Sequence, residues 1–238
     1  MHSNTLKKML IQGAKELGKN LSHEQTDKFF LYMHELKEWN KKINLTAITQ
    51  DEEIIKKHFL DSLILVKAFS FSSQSVIDVG AGAGFPGIPL KIVSPELKLT
   101  LLDSVKKKIN FLDHIKTVLN LKNINLILGR AEEIARDWRE TFDITLSRAV
   151  ASLDVLAEYC LPLTKIGGKF IALKEEKVED EIEDAKTAFH ILGGKLNCVL
   201  KVKVPGTDIV RSIIVVDKVT KTPEKYPRRP GIPKKRPL

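Results

Sequence analysis

Two carboxylates and a run of glycines carry most of the chemistry this chain can be read to hold. The segment Asp78-Val79-Gly80-Ala81-Gly82-Ala83-Gly84 closes one short apolar run, and Asp103 closes the next. Glycines at alternate positions adopt backbone angles that side chains forbid and let a flat ligand lie against the main chain. No Gly-Lys-Ser/Thr follows the loop, which excludes a phosphate-cradling P-loop. An acidic residue ending a second strand binds a ribose diol in dinucleotide sites and in S-adenosylmethionine sites alike, and Asp103 holds that position. The glycine spacing is G-x-G-x-G, not the dinucleotide G-x-G-x-x-G. Phe85-Pro86 also stands where a helix N-terminus should meet pyrophosphate. Asp78 would repel a pyrophosphate but attract the cationic sulfonium and ammonium of S-adenosylmethionine. Asp78, Gly80, Gly82, Gly84 and Asp103 together favour S-adenosylmethionine over NAD(P).

These residues need strands that end side by side. From Ser75 onward the chain alternates short apolar runs with helical segments. Strands are expected at Val76–Val79, Leu97–Leu102, Ile124–Leu128, Asp143–Leu146 and Lys169–Leu173. Helices are expected at Gly87–Val93, Val105–Leu119, Glu132–Trp138, Ser152–Leu161 and Lys177–Leu192. Such alternation builds right-handed βαβ units and a parallel, doubly wound sheet. Leu196–Val204 and Ser212–Val219 leave no room for a helix between them and read as a closing antiparallel hairpin. Ahead of the sheet lie two helices with capping boxes, Ser22 with Gln25 and Thr49 with Glu52. Between them, the Trp39 of "EWNKKINLT" can either face RNA or pack inward.

Composition narrows the partners. Of 238 residues, 43% are hydrophobic, enough for a sizeable core, and no 18 apolar residues run together. The first 20 residues read as an amphipathic helix and not as a signal peptide. The cytoplasm is therefore the expected location, with no membrane contact. Two cysteines, Cys160 and Cys198, sit in apolar runs as buried thiols, and the six histidines form no metal motif, so no metal is expected. A net charge of +9 calls for an acidic partner, most often nucleic acid. Lys221 to Leu238 carry seven Lys/Arg against one Glu and half of the ten prolines. Such a tail is expected to stay extended, without helix or central strand. It is either a disordered solubilising end or an arm that follows a phosphate backbone through Arg228, Arg229, Lys234, Lys235 and Arg236.

The segments "EWNKKINLTAI", "HFLDSL", "VIDVGAGAGFPGIPLKI", "DSVKKKINFL", "GRAEE", "SRAVASLDVL" and "YPRRPGIPKKRPL" resemble, nearly end to end, the bacterial 16S rRNA guanine-N7 methyltransferases. This family was formerly called glucose-inhibited division protein B. The resemblance implies an α/β fold: a Rossmann-like class I S-adenosylmethionine-dependent methyltransferase with a seven-stranded, mostly parallel sheet ending in an antiparallel hairpin. It implies three parts: a helical extension over 1–70, the methyltransferase domain over 71–220 and the basic tail over 221–238. It further implies 16S rRNA of the small ribosomal subunit as partner, a guanine near the decoding centre as acceptor, and a monomer. Carried over by position, Gly80, Phe85, Asp103, Ser104 and Val105 contact the cofactor. Ala131 and Glu132 flank its adenine, and Arg148 lines the site. Two departures stand out: Ala81 replaces a serine, and Glu175 follows Lys174 where a glycine is usual.

The chemistry agrees with that acceptor. The strand end "DITLSRAVA" carries no D/N-P-P-F/Y for amine methylation, and neither cysteine is placed as a nucleophile for pyrimidine C5. Guanine N7 has a lone pair and no proton, so positioning and desolvation can do most of the work. Arg148 is the candidate catalytic residue; the other reading pairs it with Asp78 or Asp103 as scaffold. His58 on an apolar face reads as a satisfied core histidine, Asp61-Ser62 as a helix brace, and Lys106 to Lys108 as a solvated face. The rival functions are an RNA-binding assembly factor with a vestigial pocket and an NAD(P)-dependent oxidoreductase.

Overall fold

The computed structural model describes residues 2–148 and 151–238, so Ala149 and Val150 of the "SRAVASLDVL" segment lie outside the described residues. The apolar runs form strands β1 (Ser75–Val79), β2 (Lys98–Asp103), β3 (Ile124–Leu128), β4 (Phe142–Arg148), β5 (Thr164–Glu175), β6 (Gly194–Lys203) and β7 (Val210–Lys218). All seven join one sheet in the order β3-β2-β1-β4-β5-β7-β6. The first five pair in parallel, and β7 runs antiparallel to both β5 and β6. The last strand is thus inserted between its hairpin partner and the parallel block. The chain leaves β1 toward β2 on one side and reaches β4 on the other, which opens a crevice at the carboxyl ends of these strands.

Helices cover both faces because both faces of a parallel sheet are apolar. One face takes α1 (His2–Glu16), α2 (His23–Asn40) and a helical run over residues 51–67. That run comprises α3 (Asp51–Ile54), a π-helical turn (Ile55–Leu60), α4 (Asp61–Leu63) and a 3₁₀ turn (Ile64–Lys67). Leu10, Phe29, Tyr32, Leu36, Ile55 and Phe59 share one core with Leu99, Leu101 and Ile213 of the sheet. Also on this face lie α5 (Gly87–Val93) and α6 (Lys106–Val118). The other face carries α7 (Ala131–Ile134), α8 (Leu153–Cys160) and α9 (Glu179–Ile191), packed around Ile77, Phe170, Leu156 and Phe189. Each such fully buried large side chain contributes about 1.5–3 kcal/mol.

Several expectations need correction. The Ser22–Gln25 capping box forms, with Ser22 Oγ accepting from Gln25 N at 3.1 Å. The Thr49–Glu52 box does not: α3 starts at Asp51 with Gln50 at its cap and no side-chain cap bond. The helix expected over Glu132–Trp138 shrinks to α7. Trp138 stacks on Phe142 with rings 5.6 Å apart, and Glu140, at φ 49°, turns the chain into β4. Trp39 packs inward against Phe111, 5.6 Å between rings.

The basic tail departs furthest from expectation. It folds back onto the α8 side and ends in a helical turn, α10 (Ile232–Lys235). Proline is tolerated in the first turn of a helix, where the missing N–H has no partner to lose. Pro233 there is buried, as are Tyr226 and Thr222. Arg139 holds the segment from outside: Nη1 donates to the Tyr226 carbonyl at 2.8 Å, and Nη2 to those of Thr222 (2.5 Å) and Pro223 (3.0 Å). A proline-rich strip cannot pair its carbonyls in a sheet, and one guanidinium satisfies three of them. Lys218, fully buried, donates to the carbonyls of Leu161 and Leu192 at 3.0 Å each, and also to Thr222 Oγ1.

Candidate functional site

At the carboxyl end of β1 the chain breaks into the glycine loop. Gly80, Gly82 and Gly84 all have positive φ, 77°, 60° and 95°. Gly80 N and Ala81 N both donate to the Leu102 carbonyl at 2.9 Å, so the loop is tied to the end of β2. Asp103 completes the tie: Oδ2 accepts from Gly82 N and Oδ1 from Val105 N, each at 2.9 Å. A carboxylate has about four acceptor positions, so the almost buried Asp103 keeps capacity for two further donors, such as a ribose diol.

A cavity of about 510 Å³ lies against this loop. Gly80, Asp103, Ser104, Val105, Ala131, Glu132 and Arg148 line it, so these candidates from the sequence meet in one place. Four others do not reach its wall. Gly82 spends its N–H on Asp103. Gly84 is a packing glycine, since a Cβ there would lie 2.7 Å from both Tyr32 Oη and Ile88 Cγ1. Asp78 is fully buried behind the loop, where its Oδ2 accepts from Gly87 N at 2.8 Å and its Oδ1 has no partner. Burial pushes its carboxyl up to about 7, so it holds only a partial charge at neutral pH. Phe85, buried, stacks on His58 with ring centres 4.4 Å apart.

Arg148 projects from the end of β4 between its neighbours. Its guanidinium carbon sits 5.1 Å above the Phe85 ring, and Nη1 donates to Asp61 Oδ2 at 3.1 Å. The scaffold partner is therefore Asp61, not Asp78 or Asp103. Asp61 is 1% exposed and accepts at its other oxygen from Arg211 Nε at 2.7 Å. The spacing Asp61…Arg148…Arg211 spans most of the chain, and no local pattern signals it. His58 is buried, with Nε2 2.7 Å from Thr46 Oγ1 and Nδ1 unpartnered, so its expected satisfaction is only half met. Burial and the nearby Arg148 charge bring its pKa down to about 3, leaving it neutral.

Sequence reasoning missed three groups on the cavity wall: Lys108, Arg130 and Tyr159. Lys108 belongs to a helix face expected to be solvated, yet its Nζ lies 3.7 Å from Asp103 Oδ2. Tyr159 reaches in from α8, and burial together with Glu132 pushes its phenol up to about 12. The tail also touches this wall, because Gly231 N donates to Glu132 Oε1 at 3.1 Å.

Of the tail cations expected to meet RNA, Arg228 is committed elsewhere. Its Nε and Nη2 fork onto Glu158 at 2.9 and 2.5 Å, and its backbone N adds a third bond at 2.7 Å. Glu158 is 1% exposed and leaves that guanidinium little freedom. Arg229, Lys234, Lys235 and Arg236 are exposed. Cys160 is buried and its thiol pKa is raised by desolvation, so it serves as an apolar filler. Among the described residues, no group of three or more His, Cys, Asp or Glu is arranged to hold a metal, and no helix is long and apolar enough to cross a membrane.

Known proteins resemble this architecture. In fold it is similar to M. jannaschii TYW2, solved in complex with AdoMet (TM-score 0.56, 20% identity, 73% of this chain and 80% of that one). It is also similar to a SAM-dependent methyltransferase from Aquifex aeolicus (TM-score 0.53, 17% identity, 76% and 97%). In sequence it is 53% identical over 235 residues to the ribosomal RNA small subunit methyltransferase G of Acetivibrio thermocellus, covering 98% of this chain and 97% of that protein. The enzyme of the same name from Clostridium perfringens is 47% identical, with 97% and 98% covered. The family model for GidB, rRNA small subunit methyltransferase G, matches residues 25–210. A seven-stranded methyltransferase sheet, a glycine loop tied to Asp103 and this near full-length likeness make the chain a member of the rRNA small subunit methyltransferase G family.

Proposed function

We propose that this chain transfers a methyl group from S-adenosylmethionine to N7 of a guanine in 16S rRNA, near the decoding centre of the small ribosomal subunit. The observation that carries this reading is the coincidence of two things. The chain is 53% identical, across nearly its whole length, to a protein named for that rRNA reaction class, and its largest site-side cavity is walled by Gly80, Asp103, Ala131, Glu132 and Arg148. An oxidoreductase would need a pyrophosphate site, and the loop offers none.

The residues fit the cofactor. The remaining acceptor capacity of Asp103 suits the ribose hydroxyls, the positive φ of Gly80 lets the main chain approach the amino acid end, and Ala131 with Glu132 bounds a slot for adenine. When bound, the cofactor supplies a methyl group on a cationic sulfur. Held there, it would offer that methyl to the guanine N7 lone pair, with sulfur keeping the electron pair of the C–S bond. No proton moves, so the protein need supply no general base. Arg148, held by Asp61 and Phe85, orients the acceptor and the walls exclude water. The exposed Arg229, Lys234, Lys235 and Arg236 meet phosphates.

The test is transfer of labelled methyl to small subunits from a strain lacking this protein, with digestion to nucleosides. Label in 7-methylguanosine is expected. Label in another nucleoside would overturn the N7 acceptor, and unlabelled RNA that still binds tightly would favour the assembly-factor reading.

A further inference from the structure

Arg148 is a wall between two cavities. On its far side lies a second one of about 280 Å³, bounded by His58, Asp61, Arg148, Lys174, Glu181 and Arg211. The π-helical turn, α4, the ends of β4, β5 and β7 that face the same crevice, and α9 build it. A π-helical turn widens the helix and often marks a functional site. This one brings His58 and Asp61 to the cavity.

The polar groups on its wall are fixed by one another. Asp61 spends one oxygen on Arg148 and the other on Arg211, and Arg211 also pairs with Glu175. Lys174 Nζ lies 2.7 Å from Glu181 Oε2 and donates to the Ala151 carbonyl at 2.8 Å. His58 Nδ1, more than nine-tenths buried in the same wall, has no partner. Asp61, Arg148 and Arg211 are costly to bury, and the unpartnered His58 Nδ1 adds unsatisfied polar capacity beside a space about the size of one base.

The arrangement matches a guanine, and this rests on the reading above. Guanine presents N7 and O6 as acceptors on one edge, and an arginine fork normally closes on both at once. A fork on N7 would occupy the lone pair that must attack. A single N–H on O6 leaves N7 free, and Asp61, by holding Arg148 Nη1, fixes the direction from which the remaining N–H groups of Arg148 approach the base. Guanine also carries two donors, N1–H and the N2 amine, and the same cavity is lined by the carboxylates of Glu175 and Glu181. Adenine would bring an amine to Arg148 and an acceptor to the carboxylates, both mismatched.

We propose that this second cavity receives the acceptor guanine, and that Asp61 is a positioning residue that fixes the direction from which Arg148 reaches O6. Photolabelling with 8-azidoguanosine 5′-monophosphate, on wild-type protein saturated with S-adenosylhomocysteine, tests the pocket without any variant. Label within residues 57–61 or 174–181, displaced by guanosine but not adenosine 5′-monophosphate, is expected. Label elsewhere, or label that both nucleotides displace equally, would overturn it. For the positioning role, Asp61→Asn keeps the side-chain shape and removes the charge. In the folded variant kcat on unmethylated small subunits should fall roughly 100-fold with the Kd for S-adenosylhomocysteine close to wild type, while the urea midpoint falls because two arginines lose their shared buried carboxylate. Unchanged kcat, or loss of cofactor binding in parallel, would reject that role. Guanosine label in this cavity without methyl transfer by the wild type would keep the pocket and sink the preceding reading; transfer to N7 with label elsewhere would do the reverse.

Discussion

The glycine loop, residues 80–84, and the basic tail, residues 221–238, are both made of residues that regular secondary structure rejects, yet the protein fixes them by different means. The loop is held by its nearest neighbours in the sheet: Gly80, Ala81 and Gly82 donate to Leu102 and Asp103 at the end of the adjacent strand. The tail is held by residues remote in sequence, Arg139, Glu158 and Glu132. Each region also covers a buried ionisable group, Asp78 under the loop and Lys218 under the tail. A segment's composition sets which conformations it can adopt; where it settles depends on partners that composition does not name.

The largest effect expected separates the glycines within the loop. Gly84→Ala would place a Cβ 2.7 Å from two side-chain atoms at φ +95°, combining overpacking with backbone strain, at about 2–5 kcal/mol. Gly82→Ala meets only the Gly80 carbonyl at 3.9 Å and should cost about 1–2 kcal/mol from its positive φ. Urea unfolding of the two variants measures the gap; equal losses would remove the distinction between packing and turn glycines.

Next comes the tail. Arg228→Ala strips the buried Glu158 of its fork but leaves the Arg228 backbone N–H in place. The Arg228 side chain is 25% exposed, so the loss should be about 2–3 kcal/mol, toward the lower end for a broken buried pair. Affinity for rRNA should stay close to wild type. A tail that merely trails in solvent would show the opposite, intact stability with weakened RNA binding.

The two buried groups sharpen the contrast by pH. The Asp78 carboxyl is raised to about 7 from an ordinary value near 4, so the folded state binds more protons between these limits. Its contribution is full below about pH 4 and is lost as pH rises through 7. Burial brings the Lys218 ammonium down to about 8 from 10.5, so its contribution has the other sign, full above pH 10.5 and lost as pH falls through 8. Asp78→Asn should flatten the acid-side slope of unfolding free energy against pH, and Lys218→Met the alkaline-side slope. Slopes that persist in the variants would assign the proton linkage to other groups.

The smallest effect belongs to the exposed end of the tail. Replacing Lys234, Lys235 and Arg236 by alanine should leave stability unchanged and make rRNA binding less sensitive to salt. The log–log slope should fall by roughly 0.7–0.9 for each phosphate that these cations neutralise. A salt slope equal to wild type would place the phosphate-binding cations on another surface.

Most of the sheet and half of the site were legible because their signals are local. Glycines before a helix and an acid ending the next strand encode the loop, and short apolar runs encode β1 to β5. The insertion of β7 between β5 and β6 was not legible, since a hairpin reads the same whichever strand lies at the edge. The motif assigns Asp78 and Phe85 to the ligand, but side-chain direction turns both into the core. The bonds of Asp61 to Arg148 and Arg211 and the Arg228–Glu158 fork join residues from 70 to 150 positions apart, and no periodicity reaches that far.

The most direct test of where the cofactor sits is calorimetric titration of S-adenosylhomocysteine into the wild-type protein and into Asp103→Ala. One site per chain is expected in the wild type. The variant should bind roughly tenfold more weakly or worse, as for a hydrogen-bonded charge removed, with the fold retained by circular dichroism. Equal affinity in the two proteins would contradict this placement and move the cofactor away from the cavity at the end of β2.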